Sequence, residues 1–494
     1  MKTHIAMAAF VAFSMGAGLA QQAQAGDLKA FQTALEQDGF TVQQGSLGYL
    51  DIVKLYDKKL LPAAYGNNPS TKYLTYFVPP APGHKVPELF SKIAVALGRS
   101  EDISPFWNIR PDEAIVFVGK TPPECRYFSF DHYILSRTYG TEARWLFANL
   151  ADTVNNLTIN TGGTPGGMAG NPFSQTTVIV ATADRSIDQR IRSAAISAGY
   201  PGDVLNTQVL PSAVLNMGLQ ESSDNFLILI RPYLYKDKQA GEEYLSNTPA
   251  VIFRVTPNKA GVLDPYPYPE LRVHGTGKTE LGLSADVESL RKAILDKYGG
   301  LEATELPTSM AVPSGSDAIQ RGIDAIGPDS DACYLWSAPQ TASEPTPAFP
   351  DVSRYYDFLR RSAVTLGDDP NEFIIVYGVN HGATGKATYA NFVLYGAQGW
   401  NGVGSVTDEK FGGTAEAYLP GNGAAKYLYV YKVARNCGDD PHCFAVPTGP
   451  GAYGVGLQER LFIAWRSYLE KATKTGPSCT EILYDRAIKF APKH

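Results

Sequence analysis

Residues 111–135, PDEAIVFVGKTPPECRYFSFDHYIL, and residues 370–394, PNEFIIVYGVNHGATGKATYANFVL, align without a gap and indicate an internal repeat. Both segments begin with Pro-x-Glu, continue as an apolar run to a glycine, and end in alternating aromatic residues. A short apolar run predicts a buried strand, and the alternation predicts a second, half-buried strand. Each segment therefore predicts a strand, a turn containing Gly or Pro, and another strand.

Further matches occur in the same order along the chain, which makes a coincidence between similar strands a weaker explanation. The matched positions are 27–40 with 287–300, Tyr73-Leu74 with Tyr334-Leu335, Gly218 with Gly456, and Arg231 with Arg466. The first pair predicts amphipathic helices that end at glycine. The first copy is longer between residues 135 and 218, where it holds a Gly-rich loop and a segment typical of a helix.

The repeat predicts a domain organisation and a fold class. We expect a signal peptide at 1–25, a first repeat domain at 26–256, a linker at 257–283 and a second repeat domain at 284–494. The predicted strands come partly in adjacent pairs instead of alternating strictly with helices. This favours an α+β fold with two tandem, internally duplicated domains, mixed or antiparallel sheets and flanking helices.

The N-terminus has the pattern of a cleavable secretory signal. Lys2 supplies a positive charge, an apolar run follows from Ile5 to about Ala20, and a small-x-small site ends at Ala25. An uncleaved membrane anchor is the alternative. No later segment has about 18 consecutive apolar residues, so we expect no integral membrane segment after signal removal. The sequence thus predicts an exported protein, periplasmic or secreted.

Composition limits the classes of partner. Apolar residues make up 44% of the chain, charged residues 19%, and the net charge is -6 with no basic run. This balance is typical of a globular protein and makes nucleic acid a poor partner. Gly-Lys follows Gly-rich turns at 274–280 and 380–388, but Arg272 and Asn380 stand where a phosphate loop requires glycine. The sequence indicates no cofactor and no metal, and the partner expected is an unknown small molecule or polymer.

Five cysteines raise the question of disulfides in an exported chain. Cys437 and Cys443 flank a short loop and predict a disulfide bond. A zinc site with His442 is the alternative, but the second ligand pair that such sites need is missing. The pairing of the other three cysteines stays open at this point; they are Cys125, Cys333 and Cys479.

Candidate catalytic residues are few, and whether the protein is an enzyme stays open. His381 follows a predicted strand within a Gly-rich turn, where a functional group is accessible. Glu113 and Glu372 open equivalent strands of the two copies and would act as general acid and base if they faced each other. An internal ion pair that stabilises each copy is the alternative use of these glutamates.

Ligand sites prefer domain interfaces, and two similar domains create one. The turns after the matched strands would supply Arg126 and Lys386, and the matched strand ends would supply Arg231 and Arg466. We therefore expect a two-domain binding protein with a site at the seam. A secreted hydrolase using carboxylate or His-carboxylate chemistry in the same cleft, and a structural or envelope-associated protein, are the alternatives.

Overall fold

The computed structural model describes residues 28–310, 315–337, 363–449 and 451–493. The predicted signal at 1–25 lies outside the described residues. Below, the first half is 28–257, the second half is 284–493, and the connecting segment is 258–283. The connecting segment holds no strand and ends in a short 3-10 turn.

The first half contains strands and helices in mixed order. They are α1 (28–37), β1 (Phe40–Tyr49), α2 (Ile52–Asp57), β2 (Leu74–Phe77), α3 (Glu88–Ala96), β3 (Ala114–Lys120), β4 (Cys125–Tyr139), β5 (Glu142–Asn149), β6 (Val154–Asn155), β7 (Thr176–Thr182), α4 (Arg185–Ser197), β8 (Leu205–Val209), β9 (Asn225–Tyr235), α5 (Lys238–Ser246) and β10 (Ala250–Pro257).

The second half has fewer and shorter helices. Its elements are α6 (Ser284–Lys297), β11 (Glu302–Leu306), β12 (Ser309–Met310), α7 (Gly315–Arg321), β13 (Ala332–Trp336), β14 (Val364–Thr365), β15 (Phe373–Val379), α8 (His381–Thr384), β16 (Tyr389–Gly396), β17 (Asn401–Thr407), β18 (Leu428–Ala434), β19 (Cys443–Ala445), β20 (Arg460–Tyr468) and β21 (Arg486–Ala491).

The sheets of the two halves have the same strand order. In the first half, the order is β5-β4-β9-β2-β1-β10-β3-β7-β8, with β6 beside β4. In the second half, one sheet is β17-β16-β20-β13-β12, with β14 beside β20, and the other is β11-β21-β15-β18-β19. The last pair of each series, β7·β8 and β18·β19, is parallel, and the other pairs are antiparallel.

One long strand of the first half corresponds to two short strands of the second. β1 pairs with β10 up to Gly45 and with β2 from Ser46 onward. Gly45 lies at the bend because a Cβ there would come within 2.2 Å of the Phe77 carbonyl oxygen. In the second half, Pro307 interrupts the strand, since proline cannot donate a ladder hydrogen bond, and β11 and β12 lie in separate sheets.

Most of the length difference between the halves lies in one crossover connection. In the first half, α4 connects the parallel strands β7 and β8. In the second half, a short loop closed by the Cys437–Cys443 disulfide bond connects β18 to β19.

Each half has a helix layer and two sheet layers. Alternate residues of β3 face opposite sides: Val116 packs with α1 and α4, while Ile115 and Phe117 lie in the core between the sheets. The same alternation in β15 places Ile375 against α6 and Ile374 in the inter-sheet core. A further core joins the halves, because the outer faces of β4-β9-β2 and β16-β20-β13 pack against each other.

The structure confirms the predicted α+β class with mixed and antiparallel sheets and flanking helices. It also confirms the Cys437–Cys443 disulfide bond and adds a second one, Cys333–Cys479, with a Cα–Cα distance of 5.4 Å. Cys125 is buried and is not in a disulfide bond. Common descent of the two halves stays a prediction. A duplication would produce the same strand order in both halves, and this is the order observed.

Candidate functional site at the seam between the halves

Each half inserts a loop into the other, and the two insertions use matching contacts. In the first-half loop, the Gly66 amide donates to the Trp400 carbonyl at 3.0 Å. In the second-half loop, the Gly327 amide donates to the Phe147 carbonyl at 2.6 Å. Both glycines have a φ of 62°, a left-handed conformation that glycine adopts without strain. The seam therefore has an approximate twofold arrangement.

Two arginines at matched positions bind these loops. The Arg231 Nη2 atom donates to the Gly327 carbonyl at 2.9 Å, and the Arg466 Nη2 atom donates to the Gly66 carbonyl at 2.5 Å. Each arginine thus reaches from its own half to the inserted loop of the other. Both side chains are buried, as guanidinium groups at interfaces often are.

Four buried tyrosines fill the middle of the seam. Tyr127 and Tyr233 come from the first half, and Tyr389 and Tyr468 come from the second. Ring centroids in contact are 5.0–5.6 Å apart, and the hydroxyls of Tyr233 and Tyr468 are 3.2 Å apart. Tight aromatic packing leaves only a small cavity nearby, 50 Å³ in volume, which both arginines line. This is the central cavity.

Three carboxylates surround Arg231 on one side of the seam. Asp131 from β4 lies 3.4 Å from Arg231 Nη1, and Asp329 lies 3.9 Å from the same atom. Asp331 is next to them, and the Tyr127 hydroxyl lies 2.9 Å from Asp329 and 2.8 Å from Asp331. These residues, Asp131, Asp329, Asp331 and Arg231, are the seam acid cluster. All three carboxyl groups are buried.

Burial raises the pKa of two carboxyl groups in the seam acid cluster, Asp131 and Asp331. Burial, together with the neighbouring Asp329, raises the pKa of Asp131 well above its usual range, despite Arg231. The same two causes raise the pKa of Asp331 to about 7, although Thr153, Asn155 and Tyr127 donate to it. One guanidinium does not neutralise three ionised carboxylates, so the cluster favours proton uptake.

The seam acid cluster exists on only one side of the seam. At the positions matching Asp329 and Asp331, the other half has Asn68 and Ser70. The backbone is the same: the Asn68 amide donates to the Tyr73 hydroxyl at 2.8 Å, as the Asp329 amide does to its own tyrosine at 3.0 Å. The second residue of each pair also donates its amide to the first. The two sides therefore share a geometry and differ in charge.

Replacing Asp331 by Asn will flatten the pH dependence of stability. The folded-state pKa of Asp331 is about 7, above the ordinary 3.8, so the folded chain holds this proton more tightly. The contribution of this bound proton to stability is complete below about pH 4 and is lost as the pH rises through 7. The wild type should lose up to about 1.4 kcal/mol per pH unit across this window. Urea unfolding between pH 4 and 8 measures the slope.

Asp203→Asn, which changes an exposed carboxylate, is the control and should keep the wild-type slope. If Asp331→Asn has the same slope as the wild type, Asp331 does not hold the proton.

A larger pocket opens at the edge of the seam, with a volume of 440 Å³. We name it the seam pocket. Its walls come from both halves and the connecting segment; they include Leu150, Ala151, Asp152, Tyr268, Leu271, His274, Ser316, Asp329, Ser330, Tyr334, Ser478, Cys479 and Thr480. Asp329 thus joins the pocket to the seam acid cluster, although its side chain is fully enclosed.

Two contacts fix the walls of the seam pocket. The Cys333–Cys479 disulfide bond joins β13 to the wall at 477–480. The Asp152 carboxylate accepts from the Arg272 backbone amide at 2.6 Å, which holds the connecting segment against the first half. The pocket is therefore largely preformed, as ligand sites usually are.

His381 lies away from the seam pocket, between two carboxylates. Its Nδ1 is 2.9 Å from Glu280 and its Nε2 is 3.2 Å from Asp485. Burial alone would lower the pKa of His381, but the two carboxylates raise it to about 10. The imidazolium is thus retained at neutral pH with both ring nitrogens occupied. Its catalytic role stays a prediction, and the geometry suits joining the connecting segment to the second half.

Lys386 and Arg126 also contact protein groups. Lys386 Nζ lies 3.0 Å from Glu470 and 2.5 Å from Glu481, beside a polar pocket of 610 Å³. Arg126 is partly exposed and donates across the seam to Asp408 at 3.0 Å. The structure brings Arg126, Arg231 and Arg466 to the seam and leaves Lys386 outside it.

The structure does not bring Glu113 and Glu372 together. Glu113 is fully buried and binds Arg254 at 2.7 Å, within the first half. Glu372 binds Lys489 at 2.8 Å within the second half. In the described residues each glutamate therefore forms an ion pair inside its own half, which was the alternative to their catalytic role.

Sequence reasoning missed the seam acid cluster. A signal was present, because Asn68-Pro-Ser70 and Asp329-Ser-Asp331 stand at the same distance before the matched Tyr73 and Tyr334. Extending that match by a few residues would have shown two carboxylates in one copy that the other lacks.

Two solved structures resemble the chain weakly. The VPA0106 protein from Vibrio parahaemolyticus is 10% identical over 89% of this chain and 96% of its own, with a TM-score of 0.36. An uncharacterised protein from Burkholderia cenocepacia is 10% identical over 82% of this chain and 74% of its own, with a TM-score of 0.32. No protein-family model and no curated protein matches the chain.

Within the described ranges, no helix has the length and apolar character needed to cross a bilayer. Nor do the described histidines, cysteines and carboxylates form a group of three arranged to hold a metal ion.

Proposed function

We propose that this chain is an exported binding protein that holds a small molecule in the seam pocket. The observation that carries the proposal is a 440 Å³ pocket built jointly by both halves and the connecting segment. This volume is within the range of about 300–1,000 Å³ that is common for ligand sites, which favour domain interfaces. Two disulfide bonds are compatible with an oxidising compartment outside the cytoplasm.

The walls of the seam pocket favour a neutral or cationic ligand with an apolar face. Tyr268 and Leu271 are 40% and 47% exposed at its mouth, and Tyr334 lies within it. Asp152 and the seam serines supply hydrogen-bond acceptors, and no Lys or Arg is among the described lining residues. Sugars and organic amines combine hydroxyl or ammonium donors with apolar faces that stack on tyrosine.

The hydrolase alternative has less support from the geometry. The raised pKa values of Asp131 and Asp331 suit these two carboxyl groups to general acid catalysis. Their side chains, however, are enclosed and bound to protein groups: Asp329 has no exposed side-chain area, and Asp331 accepts from Asn155 at 2.9 Å. A substrate would need the seam to open before it could reach them. The structural or envelope-associated alternative predicts no ligand at all.

Thermal unfolding of the mature chain with small-molecule probes tests the proposal. The probes are mono- and disaccharides, di- and polyamines, and dicarboxylates as the disfavoured class. A sugar or an amine at about 100 times its Kd should stabilise the folded state by about 2.7 kcal/mol. Tyr268→Ala should abolish this shift because it removes the wall at the pocket mouth.

Tyr453→Ala is the matched control, because Tyr453 is also an exposed tyrosine, at 53%, but lies outside the seam pocket. It should retain the shift. The proposal fails if neither sugars nor amines raise the unfolding temperature, or if the shift persists in Tyr268→Ala.

A further inference from the structure

Arg466 is a buried cation that lacks a carboxylate partner in the part of the chain that the structure describes. Its Nη2 atom donates to the Gly66 carbonyl, but its Nη1 atom is enclosed and has no hydrogen-bond partner. The rings of Tyr334 and Tyr395 flank the guanidinium, with centroids 5.7 and 5.5 Å from its carbon. Aromatic faces stabilise a cation only in part, and a buried charge without a counter-charge is strongly unfavourable.

The matched arginine shows what is missing. Arg231 has Asp131 at 3.4 Å and Asp329 at 3.9 Å. Around Arg466, the position matching Asp329 is Asn68. The strand register, in which Ser129 pairs with Arg231 and Asn391 pairs with Arg466, matches Asp131 with Val393, three residues beyond the position that the gap-free sequence alignment gives. The Arg466 side of the seam thus keeps the arginine, the loop contact and the rings but has neutral residues in place of the two nearest carboxylates.

The central cavity lies between the two arginines, and its volume of 50 Å³ is enough for a small ion or a few waters. Its other walls are mostly aromatic, including Tyr65, Tyr73 and Trp336. No described carboxylate oxygen lies within 4 Å of Arg466, whereas two reach Arg231. At Nη1 of Arg466, an anion would therefore meet a guanidinium edge and aromatic surroundings, whereas the carboxylates of Asp131 and Asp329 lie on the Arg231 side of the cavity.

We propose that the central cavity binds a small inorganic anion of the halide class, chloride in ordinary solutions, against Nη1 of Arg466. The anion takes the place that a carboxylate occupies beside Arg231. It neutralises the guanidinium and satisfies its unpartnered donor. Water alone satisfies the donor but leaves the charge of the guanidinium unneutralised.

The first test is the anion dependence of folding of the full mature chain. Thermal unfolding is measured at constant ionic strength while chloride replaces gluconate, which is too large for the cavity. The midpoint temperature should rise with the logarithm of chloride concentration, with a slope equal to one anion released per unfolded molecule. Equal midpoints in chloride and gluconate overturn the proposal.

A gain-of-charge variant gives the matched test. Asn68→Asp places a carboxylate where Asp329 stands relative to Arg231, so this variant should lose the chloride dependence. Asn258→Asp, which adds a carboxylate on the exposed surface at the start of the connecting segment, should keep it. Chloride dependence that persists in Asn68→Asp contradicts the assignment to Arg466.

Crystals grown in bromide decide the location even if Asn68→Asp does not fold. An anomalous peak in contact with Nη1 of Arg466 is the expected result. Water density in the central cavity without an anomalous signal would show that the cavity is hydrated only, and the proposal would then be wrong.

Discussion

Replacing Arg231 by Met will lower the free energy of unfolding by about 3–5 kcal/mol. The guanidinium is buried, at 4% exposure, and is the one cation within 4 Å of Asp131 and Asp329 among the described residues. Without the guanidinium, two buried carboxylates must either remain ionised with no counter-charge or take up protons. The Gly327 carbonyl also loses its donor, so the inserted loop of the second half loses one of its hydrogen bonds at the seam.

Urea unfolding at pH 7 measures this effect. Lys72→Met is the control because Lys72 and Glu242 form an ion pair that is exposed at both ends, and its loss should cost no more than about 1 kcal/mol. The double variant Arg231→Met/Asp131→Asn should recover part of the lost stability, since it removes one unpaired carboxylate. Equal effects of the Arg231 and Lys72 variants would mean that the seam acid cluster contributes nothing to the association of the halves.

Replacing Glu113 by Gln is expected to cost a similar amount, about 3–5 kcal/mol. Glu113 and Arg254 have no exposed side-chain area, and the carboxylate also accepts from Thr256 and from the Arg110 amide. The variant keeps the shape of the side chain but leaves the Arg254 charge unpaired in the core. Ligand binding in the seam pocket should be unchanged at temperatures where the variant is folded.

The repeat offers the matched control for this variant. Glu372 occupies the equivalent position, but its ion pair with Lys489 is partly exposed, at 18–19%, so Glu372→Gln should cost about 1 kcal/mol. Denaturation in urea gives both free energies, and a thermal shift with the bound ligand gives the binding readout. Loss of ligand binding in Glu113→Gln with little loss of stability would instead support the catalytic hypothesis for this residue.

Local patterns predicted most of the secondary structure. The apolar run at 114–119 is β3, and the segment at 187–199 lies almost wholly within α4. These predictions succeed because the spacing of apolar residues along a strand or helix is a local property. It records which side chains face the core and which face solvent. The Cys437–Cys443 disulfide bond was predictable for the same reason, since its cysteines are six residues apart.

The candidate site was predicted only in part. Arg231 and Arg466 were selected because they stand at matched strand ends, and the structure places both at the seam. The partners of Arg231 were not found, because Asp329 lies about a hundred residues away in the other half. His381 was selected for its turn, yet Glu280 comes from the connecting segment and Asp485 from the last strand region, and no local pattern joins the three.

By itself, the sequence determined the α+β class, the location of several strands and helices, and the Cys437–Cys443 disulfide bond. Those properties follow from the periodicity of burial and from short-range turn chemistry. Only the tertiary structure decided that each half inserts a loop into the other, that Asp131 and Asp329 lie within 4 Å of Arg231, and that no described carboxylate lies as close to Arg466. Such contacts join residues that are far apart in the chain. They form only when whole sheet faces of the two halves pack together, so no local sequence pattern shows which charged groups will meet.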